Sequence, residues 1–234
     1  MIDVDFNFFS EVREGQDPDS KSPTLRNYHK LLWSKSLPSG KVFELKDNPP
    51  ELSKKYLYHK SELGYFVLGS DAITHSYRNH KKKKHITEKI PDEVNELFTQ
   101  GGNIASYIIF PKNKINNGQT INMARGVNSL IDDRFDLTLE CIKRFYKNLS
   151  SPLYNTLLKY KNFFDLFQSF ENYVEFFLLQ DLIDNKSSTI KFYMPFDDFK
   201  TRPSFNSVED YISYKFKVLE FNSKRKARIK SLKI

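Results

Sequence analysis

DRFDLTLECIKRFY, residues 133–146, carries two overlapping patterns. On a helix turning roughly 100° per residue, Phe135, Leu139, Ile142 and Tyr146 fall on one side as a core stripe. Asp133, Asp136, Glu140, Arg144 and Lys147 fall on the other side, with Leu137 and Cys141 at the edge of that polar sector. Phe135, Leu137, Leu139 and Cys141 also alternate, which is a strand signal. A charged ladder with apolar flanks is expected to be partly buried. Burial and close like charges shift carboxylate pKa values and tune general acids and bases. The plainer alternative is a surface ladder Asp136–Glu140–Arg144, worth roughly 0.2–0.5 kcal/mol per pair.

Outward from this segment the two flanks differ. On the C-terminal side the spacing predicts helices over 133–147, 152–170 and 173–184, then a strand at 190–194 and a PFDDF turn at 195–199. A last helix starts at Val208, capped by Asn206 or Ser207, with Glu209 and Asp210 in its first turn. On the N-terminal side a helix over 25–33 has Ser22 or Thr24 as cap and Pro23 in its first turn. Strands are predicted at 42–45, 56–59, 65–68 and 104–110, with a turn at Asn116–Asn117–Gly118 leading into 120–123. A short helix is expected at 92–98 and a charge-dense loop at 78–89. The class is therefore α+β: a strand-rich subregion, 1–128, packed on a mainly helical one, 129–234, as a single domain.

Composition narrows the function classes. A chain of 234 residues buries roughly 70% of its surface on folding, enough for a core without staples. The single Cys141 excludes disulfides within the chain and multi-cysteine metal sites, and suits a reducing cytoplasm. Eight glycines argue against a glycine-rich phosphate loop. The N-terminus lacks the charged start and apolar run of a signal peptide, and no apolar stretch is long enough for a membrane helix. A cytoplasmic protein with no membrane partner is expected.

The net charge of +8 has two main sources. Lys81, Lys82, Lys83 and Lys84 are consecutive, and the stretch from Lys224 adds Arg225, Lys226 and Arg228 with no acid. Such blocks attract phosphate backbones, and aromatic residues add stacking on bases. The alternative is a solvated surface, since charge governs association and not fold.

Several constellations have chemical potential. TINMARG, 120–126, presents Asn122 and Arg125; the guanidinium suits a phosphate or carboxylate, or else clamps the following helix. His59 and Glu62 close a strand and form a candidate general-base pair or metal-ligand pair. His29, Trp33 and Lys35 lie together in HKLLWSKSLPSG, with Trp33 expected as a core anchor. Pro18–Asp19 with Glu44–Leu45–Lys46 loosely matches a nuclease metal pattern; a divalent metal therefore enters as a candidate cofactor without a strong motif.

LWSKSLPSG, YLYHKSELGYFVLGSDAI, TINMARG, DRFDLTLECIKRFY and FFDLFQSFENYVEFFLLQDL, followed by MPFDDF, occur in this order. Together they resemble a bacterial domain family of unknown function, also met in phage-derived genes, over roughly 17–230. The resemblance implies one complete domain and brings no activity. The family pattern has an arginine where Lys143 stands here. The expected function is a cytoplasmic effector acting on nucleic acid or a nucleotide in phage–host conflict. Arg125, Asn122 and Arg134 would grip phosphate, and Asp133, Asp136, Glu140, His59 and Glu62 would act as acid, base or metal ligand. The alternative is a non-catalytic interaction protein that engages a partner through its basic surface.

Overall fold

In the computed structural model, Ser22 accepts a hydrogen bond from the Leu25 N–H and Pro23 occupies the first turn of a helix, so the local start signals act as read. That helix, α2 (Pro23–Trp33), follows a single turn, α1 (Pro18–Lys21). The structure describes residues 1–13, 16–50, 55–73, 84–94, 102–115, 118–184 and 186–232. Four strands, β1 (Lys46–Asp47), β2 (Leu57–Ser61), β3 (Gly64–Ala72) and β4 (Tyr107–Pro111), form an antiparallel meander in chain order. Gly64, at φ 147°, closes the two-residue turn between β2 and β3. Leu57, the first residue of β2, pairs with Leu68, and Ser70 pairs with Ile109 on the other side. The β3 edge beyond Leu68 is therefore open, and Asp19 from α1 closes it: both carboxylate oxygens accept the Ser70 N–H at 2.9 Å.

After α3 (Lys84–Thr87) and β4, the chain becomes helical: α4 (Ile121–Val127), α5 (Phe135–Tyr146), α6 (Tyr154–Lys159), α7 (Lys161–Asp165), α8 (Phe170–Phe176) and α9 (Val208–Ser231). The fold is α+β with one core. Trp33 and Phe43 from the first half meet Phe163, Phe167, Phe176 and Phe177 from the second, with ring centroids 5.2–6.4 Å apart. The long helix α9 ties the halves together. Arg225 is fully buried and donates to the carbonyls of Ala105, Tyr107 and Phe177. Among the described residues no helix is long and apolar enough to cross a membrane.

Several elements differ from the sequence expectation. Residues 42–45 form no strand; Val42 makes only an isolated bridge to Ser36. Residues 104–106 wind as a 3-10 turn before β4. Thr120 caps α4 by accepting the Met123 N–H at 3.2 Å, so 121–123 are helical and not extended. The helices expected at 152–170 and 173–184 are cut by Gln168 and Leu178, both in the left-handed region at φ 65° and 56°. Residues 190–194 gain only an Ile183–Ile190 bridge. Residues 92–94 are helical, while 74–83, 95–101 and 116–117 lie outside the described residues.

Candidate functional site

Arg125 is the hub of a buried clamp. Its guanidinium pairs with Asp71 of β3 and donates to Thr138 Oγ1 at 2.9 Å and to the Ala72 and Asp133 carbonyls. It has no solvent exposure. Burial raises the Asp71 pKa even with Arg125 beside it. Of the two roles open to Arg125, it performs the clamp on the following helix. Asp133 sits at φ 58°, before α5, and lends its backbone to this clamp.

The polar face expected on α5 is largely interior. Asp136 is fully buried, paired with Arg134 and accepting the Tyr193 N–H at 2.9 Å. The expected ladder keeps only its second rung: Arg144 binds Glu140 at 2.9 Å, and also Asp198. Asp136 belongs instead to the pair that fixes the helix start. Asp136 is thus occupied in holding two segments together, and Glu140 in a rung within α5.

His59 and Glu62 do not form a pair. His59 packs between Phe43 and Phe66, its Nδ1 donating to the Glu44 carbonyl at 2.9 Å and its Nε2 buried without a partner. Burial lowers its pKa below the usual imidazole range. Glu62 is exposed and pairs with Lys41. The nuclease-like pattern dissolves in the same way, with Asp19 on the Ser70 backbone and Glu44 on Lys46. Among the described residues no three His, Cys, Asp or Glu side chains are grouped to hold a metal ion.

The cations of the basic blocks that lie among the described residues are also engaged. Lys81, Lys82 and Lys83 lie outside the described residues. Lys84 pairs with Glu88, Lys224 with Glu220, Lys226 with Asp5 and Arg228 with Asp181. Arg225, expected at a contact surface, is a core residue because backbone carbonyls from both halves fill its fork.

Among the described residues several concavities open, two of them beside residues expected to grip phosphate, Arg134 and Asn122. A cavity of about 400 Å³ lies where the start of α5 meets the segment after residue 193; Arg134, Leu137, Phe196, Phe199 and Arg202 are among its walls. That segment is tightly built. Asp198 and Phe199 are both left-handed, at φ 64° and 60°, and Asp197 accepts from the Lys200 N–H and the Thr201 hydroxyl. Arg144 lies 5.0 Å over the Phe199 ring, and Phe192 stacks on Phe196 at 4.2 Å. Arg202 is exposed and makes no ion pair among the described residues. Of the expected site residues only Arg134 lies here. Phe196, Phe199 and Arg202 were missed, although PFDDF was read as a turn and its doubled Asp is the signal of that geometry.

The second concavity, about 270 Å³, is lined by Ser70, Lys112, Lys114, Asn122 and Met123. Behind it runs a fixed polar chain. The Trp33 indole donates to His29 Nδ1 at 2.9 Å, which leaves the ring proton on Nε2, 2.8 Å from Ser70 Oγ. His29 is held neutral by burial, with its pKa pulled down to about 3. It donates to Ser70 and cannot serve as its base.

The chain belongs to a family of unknown function, DUF6994, whose model matches residues 2–229. No curated protein and no solved structure matches it.

Proposed function

We propose that the protein binds a nucleotide-class ligand in the cavity between α5 and residues 194–206. One observation supports this most: two phenylalanine rings and two guanidinium groups share the walls of a space of about 400 Å³. Phe196 and Phe199 offer apolar surface to a base. Arg202, at the exposed rim, offers an unneutralised fork to a phosphate. Arg134 gives a fixed floor whose charge Asp136 already balances. Binding alone is proposed, because Glu62, Asp136 and Glu140, three of the carboxylates expected as acids or bases, are paired with cations. The wider setting, an effector acting in the cytoplasm during phage–host conflict, rests on the sequence resemblance alone. A partner docking on the basic surface has less support, because each exposed described cation proposed there already faces a carboxylate.

Calorimetric titration with ATP, GTP, AMP and short single-stranded oligonucleotides tests this. At least one nucleotide is expected to bind, and Arg202→Ala to weaken it by roughly tenfold, as for the loss of one charge-assisted contact. Binding that is undiminished in Arg202→Ala, or no binding of any nucleotide at millimolar concentration, overturns the proposal.

A further inference from the structure

Lys35 lies just past the end of α2, in the stretch that also holds Trp33. Its side chain is half-buried, with Nζ 4.6 Å from the centroid of the Phe176 ring and 5.4 Å from that of Trp33. Among the described residues, no carboxylate pairs with the amine and no acceptor takes a hydrogen bond from it. The side chain lines an open cavity of about 290 Å³ with Leu37, Pro38, Asn172, Glu175 and Phe176. Two charged groups face it from neighbouring helices, Arg225 of α9 and Glu175 of α8. His29, bonded to the same indole, is neutral.

The two ring faces attract a cation, whereas desolvation beside a fixed cation disfavours an ammonium ion, the environment that activates lysine nucleophiles. Burial acts most strongly here and Arg225 second, together bringing the amine down to about 8. At about pH 7.5 roughly a quarter of such an amine is uncharged, against roughly one in a thousand for an ordinary lysine.

We propose that Lys35 is a nucleophilic amine that captures a small uncharged aldehyde or ketone as a reversible imine in this cavity. The amine lone pair forms the C–N bond as the carbonyl π pair moves to oxygen. The nitrogen loses a proton and the oxygen gains one. The carbinolamine nitrogen then gives up its second proton, the oxygen takes one up and leaves as water with the C–O electron pair, and C=N forms. Glu175 lines the same space. Its negative charge disfavours keto acids, while Leu37, Pro38 and Phe176 receive an alkyl group.

The test is reductive trapping of the folded protein with propionaldehyde and cyanoborohydride at about pH 7.5, mapped by peptide mass spectrometry. Lys35 is expected to be alkylated at least about tenfold faster than exposed Lys60, with pyruvate a poorer reagent. Competitive acetylation across pH is expected to give Lys35 a midpoint near 8. Lys35→Arg should remove the fast site and leave the unfolding temperature nearly unchanged. Equal rates at Lys35 and Lys60, a midpoint near the ordinary lysine value, or pyruvate reacting as fast as propionaldehyde each overturn the proposal.

Discussion

At the scale of single residues, arginine changes role most between sequence and structure. Arg125 looks like a ligand-binding residue when only TINMARG is in view, because its partner Asp71 lies 54 positions away. No local spacing reveals such a pair. Burial then reverses the expected outcome of mutation. A site residue on the surface can be removed at little cost to folding, whereas Arg125→Ala strands the Asp71 carboxylate in the interior. The expected loss is about 3–5 kcal/mol, read as a large fall in the urea midpoint. The double variant Arg125→Ala/Asp71→Ala should lose less than the sum of the two single variants, because it leaves no unpaired charge. A midpoint unchanged in Arg125→Ala contradicts the clamp. The same logic covers Arg225, whose fork is filled by carbonyls from residues 105, 107 and 177.

At the scale of elements, what was legible is what is local. Helix starts depend on a side chain and an N–H three residues on, so spacing narrows the caps to Ser22 or Thr24 and to Asn206 or Ser207, and in the structure the two serines take the role. Ser207→Ala should cost about 1 kcal/mol with an unchanged denaturant slope, and Ser207→Asp should recover most of it. No loss in the alanine variant would mean that tertiary packing alone fixes the start of α9. The hairpin of β2 and β3 was legible for the same reason. Helix ends were not. Gln168 and Leu178 adopt the left-handed conformation usually left to glycine, so a continuous apolar pattern hides two breaks. Thr120 is ambiguous in sequence because threonine suits both a strand and a cap. Asp136 defeated the helical-wheel reading because a buried salt bridge makes a polar position interior.

At the scale of the whole molecule, the sheet, α2 and the helical half share one aromatic core, and His29 is a titratable group sealed inside it. Its folded pKa of about 3 lies below the ordinary 6.5 of the unfolded chain. Above about pH 6.5 both states are neutral at this residue, and it contributes no pH dependence. As the pH falls towards 3, the unfolded chain takes up a proton that the folded core refuses, so stability declines by about 1.4 kcal/mol per pH unit. His59, also lowered, adds in the same direction. Asp19 and Asp71 act oppositely: their raised pKa values make the folded state the better proton acceptor as the solution acidifies. Absolute stability therefore blends the two, and a difference isolates the histidine. His29→Gln keeps an acceptor for Trp33 and a donor for Ser70 but does not titrate. Urea unfolding of both proteins between about pH 6.5 and 4 should show the native chain losing stability faster by about that slope. Parallel curves would mean that His29 takes up its proton in the folded protein, and that the Trp33–His29–Ser70 chain opens to water.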